Sequence, residues 1–338
     1  MKYRIVLITI LTFMLVFQVN AQRNKKVTKT LKKEFVMGVN GHPLSNEKSY
    51  WNMPIQHQLD LVKELNFNYY RIDLSLNDTG LVINHKVRFD SLIVLAKNNK
   101  VKLLPLIILW KYNFNDDELG AYNKGYKAGF GFAKEYNKVF PVVELENELD
   151  IPLLKDRKLK GESIDDYNPT KAGVTIAFLK GMNAGVKAAS PTTKTCINFC
   201  ETHYGYMQLL KNADVNFDII GSHWYDRVQY KLSEYPSVVK NVASIFNNKK
   251  KIWVNEYNYF LGGVRTTEDV QDNYLQDFVS NLKKEPSVTG CFFYELLDQP
   301  YLNTAKETFF ERNFGIIKWD TASKTPVHSY KKITSTFR

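Results

Sequence analysis

Cysteine is scarce: there are three in 338 residues, at positions 196, 200 and 291. Cys196 and Cys200 lie four residues apart on one apparent strand, roughly 13 Å when extended, which no disulfide spans. A bridge from Cys291 to either is open, but an odd count provides no disulfide framework. Small buried apolar residues are the plainer reading. A Gly-rich phosphate turn is also missing. Gly38-Val39-Asn40-Gly41-His42-Pro43 after the first strand lacks the G-x-G-x-x-G spacing of an open, doubly wound nucleotide-binding sheet. No H-E-x-x-H or other close spacing joins His42, His203 and His223, so neither a metal nor another cofactor is expected.

The apolar run from Ile5 to Phe17 is too short and too early for a comfortable membrane span. With Lys2 and Arg4 before it and Val19-Asn20-Ala21 after it, residues 1–21 read as an export signal. An uncleaved anchor is the alternative. No cysteine follows the cleavage site, so no lipid anchor is offered. Export would place the protein in a periplasmic or extracellular (bacterial) setting, with no stable membrane insertion once the signal is removed.

The formal charge is +11, concentrated in Arg23 to Lys33 and in Lys249-Lys250-Lys251. Neither run interleaves with aromatics as nucleic-acid binders do, and no nucleic acid is expected as a partner. The excess suits acidic glycans or simply solubility. Residues 22–33 read as an exposed basic lead-in. No linker of distinct composition divides residues 34–338, which read as one domain.

Strand-like and helix-like runs alternate from there on. Strands are expected at Phe35–Val39, Asn68–Asp73, Val101–Leu109, Val142–Glu146, Thr195–Phe199, Phe217–Ser222, Lys251–Asn255 and Val288–Phe293. Between them, Gln56–Leu65, Phe89–Lys97 and Ala172–Ala189 carry apolar residues at helical spacing. Asn168-Pro169-Thr170 offers a helix start, and Thr266 with Asp269 a capping box. Eight strands with helices between them predict an α/β fold, a (β/α)₈ TIM barrel.

Glu144-Leu145-Glu146-Asn147-Glu148-Leu149-Asp150 follows the apolar run Phe140–Val143. As a strand of period two it would aim Glu144, Glu146 and Glu148 at one face. Buried carboxylates in such a crowd cost several kcal/mol each unless paired, which marks a site. A barrel's site lies at the carboxyl ends of its strands. His42, Arg71, Asp73, Trp110, Asn147, Glu148, Glu201, His203, His223, Tyr225, Asn255, Glu256, Tyr294 and Glu295 fall there. Glu148 and Glu256 can converge across the ring, with Trp110, Trp224, Tyr257 and Tyr294 as flat surfaces for sugar rings. Two facing carboxylates suit cleavage of a glycosidic bond.

These stretches resemble clan A of the glycoside hydrolases, whose families 39 and 5 are barrels with acid/base and nucleophile on strands 4 and 7. Glu144 to Asp150 matches the strand-4 motif E-V-W-N-E-P-D in register. Ile252-Trp253-Val254-Asn255-Glu256-Tyr257 resembles the strand-7 ending. The resemblance implies Glu148 as acid/base, Glu256 as nucleophile and Asn147 as the ligand of a sugar 2-hydroxyl. Arg71 and Tyr225, the latter in His223-Trp224-Tyr225, would contact the nucleophile. His223, Trp110, Trp224 and Tyr294 are further substrate-binding candidates. Phe293–Asp298, Asn313–Ile317 and Lys324–Tyr330 resemble the strand-8 tail. Glu146 replaces the motif's aromatic, Leu149 its proline, and Tyr294 the Trp that many members carry at the end of strand 8.

The expected activity is retaining hydrolysis of a β-linked oligo- or polysaccharide, with Glu148 held protonated by nearby negative charge. A carbohydrate-binding barrel without catalysis, or transglycosylation on the same residues, are the alternatives. The loop from Ile151 to Tyr167, with Lys155, Arg157, Lys158 and Lys160, is expected to overhang the cleft.

Overall fold

Val-, Ile- and Leu-rich strands alternate with helices along the chain, and each barrel strand runs parallel to the one before it. The computed structural model describes residues 35–226, 231–259, 267–302, 311–320 and 327–330. Its barrel strands are β1 Val36–Gly41, β2 Tyr69–Leu76, β3 Lys102–Leu109, β4 Val142–Leu145, β5 Lys194–Ile197, β6 Ile219–Asp226, β7 Lys251–Tyr259 and β8 Val288–Phe293. They close in chain order, β8 pairing back onto β1. The closed ring is the expected (β/α)₈ barrel and excludes the open sheet. A further antiparallel pair, β9 Ile317–Asp320 and β10 Val327–Tyr330, comes from the C-terminal tail. The chain divides into units over Met1–Glu34 and Phe35–Arg338. The stretches read as export signal, 1–21, and as lead-in, 22–33, fall in the first, outside the described residues. No helix among the described residues is long and apolar enough to cross a membrane.

The helices are α1 Lys48–Asn52, α2 Ile55–Glu64, α3 Lys86–Asn98, α4 Glu118–Glu135, α5 Pro169–Ala189, α6 Tyr204–Asn212, α7 Tyr235–Ile245 and α8 Glu268–Leu282. Asn168 caps α5 through Lys171 N, with Pro169 in the first turn, as its sequence predicts. For α8 the cap is Thr267, whose Oγ1 accepts from Val270 N, rather than Thr266, which lies outside the described residues. The helices flanking β4 touch backbone to backbone. A Cβ on Gly125 of α4 would fall 2.1 Å from the Phe178 carbonyl oxygen, so only glycine admits that approach.

Inside the barrel, Val36, Tyr69, Leu104, Val142, Cys196, Ile219, Trp253 and Phe292 form an apolar plug, one from each strand. The outward-facing alternates pack under the helices in a larger cluster. All three cysteines are buried and free, as expected of small apolar residues. Two residues past the plug, on the same inward face, the chain turns polar at Arg71, Glu144, Asn198, Asn255 and Tyr294. This change sets the floor of the site.

Strand β7 breaks the alternation. Counting on from Trp253 would turn Glu256 outward. Instead Val254 lies opposite Ser222 and Glu256 opposite His223, so Asn255 is an extra residue on β7. Such a bulge re-aims the side chains beyond it. Glu256 faces inward and Tyr257 outward, stacked on Phe278 of α8.

Candidate active site

Strand β4 ends at Leu145, one residue before its expected end, and only Glu144 follows the strand's inward alternation. Glu146 and Glu148 take left-handed backbones, φ 59° and 51°, so the expected row of three carboxylates on one face does not form. For residues with a side chain that conformation costs roughly 1–2 kcal/mol each. Hydrogen bonds from both flanking strands offset it. From the end of β5, Asn198 Nδ2 donates to Glu144 Oε1 at 2.7 Å and to the Glu146 carbonyl at 2.8 Å, while Asn198 Oδ1 accepts from Glu148 N at 2.8 Å. From β3, Leu109 N donates to Glu146 Oε1 at 2.8 Å.

Arg71, buried in β2, is the hub beneath this loop. Its Nε and Nη2 hold both oxygens of Glu144, at 2.6 and 3.1 Å. Nη1 donates to Asn40 Oδ1 and to Glu256 Oε1, both at 2.7 Å, and Nη2 also reaches Asn147 Oδ1 at 3.1 Å. Burial opposes ionisation of Glu144, but Arg71 outweighs it and holds this carboxyl well below the usual range. The other Glu256 oxygen accepts from Tyr225 O–H at 2.6 Å. Burial and the Glu256 charge keep the Tyr225 proton in place. Arg71 and Tyr225 therefore touch the second carboxylate as expected.

His223 joins the two carboxylates. Its Nδ1 lies 2.8 Å from Glu148 Oε1 and 3.6 Å from Glu256 Oε2. Both carboxylates thus approach one ring nitrogen. Burial lowers the basicity of the ring, but Glu256, Glu144 and Glu148 together raise it to about 10. Burial likewise opposes ionisation of Glu148, and the His223 hydrogen bond and charge overcome it, drawing this carboxyl down. The expectation of a Glu148 kept protonated by its neighbours is therefore corrected. The resting pair holds one proton on His223, one hydrogen bond from Glu148. His223 is fully buried, so it serves the carboxylates and is not the sugar donor expected.

A pH test follows from this pairing. The pair loses its proton as pH rises past the His223 value, so the alkaline limb of kcat/KM belongs near pH 10. His223→Gln leaves Glu148 as the only acid. The limb should then fall by about three or more units, towards the range of a raised carboxylic acid, about 5–7. Profiles on an aryl β-glycoside would read this, and an unmoved limb would remove His223 from the proton's path.

The remaining candidates separate. Trp224, expected to bind substrate, points out of the barrel, fully buried with its ring 4.9 Å from Tyr235 of α7. Neighbouring strand residues face opposite ways, so it could not share the site with His223 and Tyr225. Trp110 is 54% exposed on the turn after β3, apart from the hydrogen bonds that tie the carboxylates together. Tyr294 packs edge-on to Tyr225 at 6.1 Å, and its O–H meets His42 Nε2 at 3.2 Å. Around it lies a second polar group. His42 Nδ1 binds Asp73 at 2.8 Å and Nε2 lies 3.4 Å from Glu295, which Tyr50 and Gln299 also bind. Burial lifts Glu295 to about 7, against His42. His203 is bound instead to Asp150, at 2.5 Å. The loop after β4 folds back on itself, Leu154 bridging to Tyr167, and Tyr167 O–H donates to the Gly161 carbonyl.

The three histidines considered for a metal thus have different acidic partners. Glu148, Cys200 and His223 bring ligand atoms within 4.8 Å of one another. They are bonded to one another, His223 Nδ1 to Glu148 at 2.8 Å and the Cys200 thiol to the same carboxylate, so the trio reads as a hydrogen-bonded cluster.

Residues 173–319 match the family model described as glycosyl hydrolase catalytic core. The barrel is similar to a family 1 β-glucosidase from Thermotoga maritima, with a TM-score of 0.63 at 12% identity over 89% of this chain and 96% of that one. It is also similar to a hyperthermophilic β-glucosidase from Pyrococcus furiosus, with a TM-score of 0.66 at 11% identity over 90% and 94%. The virulence factor SghA from Agrobacterium tumefaciens gives a TM-score of 0.60 at 13% identity over 90% and 96%. No curated protein matches the chain. At these identities the structural likeness speaks for the fold, and the family model adds the catalytic core.

The second half of the chain matches a glycosyl hydrolase catalytic core.

Two residues carry the site to which sequence reasoning gives no role. They are Asn198 and Asn40. Asn198 stands two residues past Cys196 of the plug, a signal visible once the inward face of β5 is known. Asn40 stands four past Val36, and its Nδ2 donates to the Asn255 and Phe293 carbonyls at 2.9 and 3.1 Å, joining β1 to β7 and β8.

Proposed function

We propose that this is an exported, retaining hydrolase of β-linked glycans, with Glu256 as nucleophile and Glu148 as acid/base. The observation that carries the reading is the approach of both carboxylates to one nitrogen of His223. It supports two carboxylates close enough to act on the same bond. Arg71 and Tyr225 both donate to Glu256, leaving it to act as an acceptor and attack the anomeric carbon. Glu148, 28% exposed where Glu256 is nearly covered, is open to a leaving oxygen. The proton held with His223 passes through Glu148 to that oxygen. Glu148 then takes a proton from the water that releases the covalent intermediate.

The β configuration rests on the β-glucosidases of like fold, and export on residues 1–21. Partial burial together with Glu148 and Glu256 pushes the Glu311 carboxyl upward, so the mouth is crowded with acids. A neutral sugar suits this mouth better than an acidic one.

The test is a trapping experiment. A 2-deoxy-2-fluoro β-glycoside with a good leaving group should inactivate the protein with time and add one glycosyl mass to the peptide containing Glu256. Label on another carboxylate would reassign the nucleophile. No label beside steady turnover of an activated β-glycoside would speak for inversion, and neither label nor turnover for a barrel that only binds.

A further inference from the structure

Glu146 occupies the motif position where clan A relatives carry an aromatic, and the mechanism makes no use of it. It is 5% exposed. It is held at three points: Leu109 N donates to its side chain at 2.8 Å, its own N donates to the Ile107 carbonyl at 3.0 Å, and its carbonyl accepts from Asn198 at 2.8 Å. Two residues later Glu148 begins its own left-handed turn. Asn198 grips this loop from the β5 side, and the Glu146 carboxyl is its counterpart on the β3 side.

We propose that Glu146 is a positioning residue, whose side chain fastens the acid/base loop to the end of β3 and thereby sets Glu148 against His223 and Glu256. The proposal rests on the assignment of Glu148 as acid/base. An aromatic side chain in this place could fill space but could not accept from Leu109 N, which would then be buried without that partner.

Its protonation suits the task. Burial raises this carboxyl to about 8, opposed only by the Leu109 N–H. Tyr206 of α6 is the ionisable group that faces it from a neighbouring element, and it also feels Asp150. No Lys, Arg or His lies within ion-pair distance of Glu146 among the described residues. Near neutral pH it is thus an uncharged acid, which fastens the loop without adding another negative charge beside Glu148 and Glu256.

Glu146→Gln keeps an acceptor for Leu109 N, and Glu146→Ala removes it. Each variant is assayed on aryl β-glycosides of good and poor leaving groups. In parallel, the His223 ring is titrated by ¹⁵N NMR, with His223→Gln to assign it. For Glu146→Ala, kcat/KM on poor leaving groups should fall about 10–100-fold, since misplacement by about 1 Å suffices, and on good ones by no more than about threefold. Its His223 midpoint should drop by about one unit or more as Glu148 moves away. Glu146→Gln should stay near wild type in both. Equal slowing of all leaving groups with an unmoved His223 midpoint would overturn the proposal. If Glu146→Ala does not fold, Glu146→Gln decides: wild-type values support the fastening role, and a loss as deep on good leaving groups as on poor ones refutes it. Should the wild type turn over no aryl glycoside, the glycosidase reading has failed, and the NMR arm still judges the positioning.

Discussion

Glu256→Ala should lower kcat/KM on a poor-leaving-group substrate by about 10⁴–10⁶-fold. Removing a single electrostatic donor from an active site costs roughly 10²–10³-fold, and removing a nucleophile costs much more. Glu256 has both roles in the proposed mechanism, as attacking group and as the charge facing the oxocarbenium-like centre. The fold should survive the change, because Arg71 keeps both bonds to Glu144, and Asn40 and Asn147 remain on the guanidinium. Azide supplies the decisive arm. In the space left by the carboxylate it should attack an activated β-glycoside directly and yield the α-glycosyl azide, restoring turnover in proportion to its concentration. A Glu148→Ala variant given azide should form the β-glycosyl azide instead, since there the covalent intermediate still forms first. Rescue with the opposite stereochemistry in each case would exchange the two roles. No rescue beside a modest loss would return Glu256 to a structural partner of Arg71.

Much of the fold and of the site is legible in the sequence, and particular residues show why. The barrel follows from eight apolar runs at helix-spanning intervals, because parallel strands buried on both faces must be continuously hydrophobic. The two catalytic candidates follow from acids at the ends of such runs. Side-chain direction does not follow. Simple alternation places three glutamates of the β4 stretch on one face, whereas left-handed backbones at Glu146 and Glu148 turn them to different partners. On β7 the same rule sends Glu256 outward, and only the bulge at Asn255 brings it in. A bulge is a property of two paired strands, so one strand's sequence does not announce it. Trp224 departs from expectation for the opposite reason. There alternation holds, and applying it strictly from His223 sends the indole into the helix layer. The protonation of Glu148 is beyond the reach of sequence as well, because it depends on a histidine 75 positions away whose ring meets three carboxylates.

The largest effect on stability belongs to Arg71→Met. Methionine matches much of the bulk but leaves Glu144, which is fully buried, without its cation. Removing one partner of a buried ion pair costs about 3–5 kcal/mol, and that loss is expected at pH 7. The dependence on pH identifies the cause. In the wild type, Glu144 is held below its unfolded value, so its contribution is present above about pH 4.5 and fades as pH falls towards the folded value. In the variant burial acts on Glu144 with far less opposition. His223 at 3.8 Å and Asn198 at 2.7 Å are what remain beside it. Its carboxyl then rises, and the variant instead gains stability as the group protonates. Urea unfolding should therefore show the two proteins far apart at pH 7 and drawing together near pH 4. A gap that stays constant across that range would point to lost packing, not to charge. Arg71→Lys should recover only part of the difference, because one ammonium cannot serve Glu144, Asn40, Asn147 and Glu256 from the fixed fork that a guanidinium offers. Activity should be lost in both variants, because the cation that holds Glu144 in the barrel wall is the one that holds Glu256 ready.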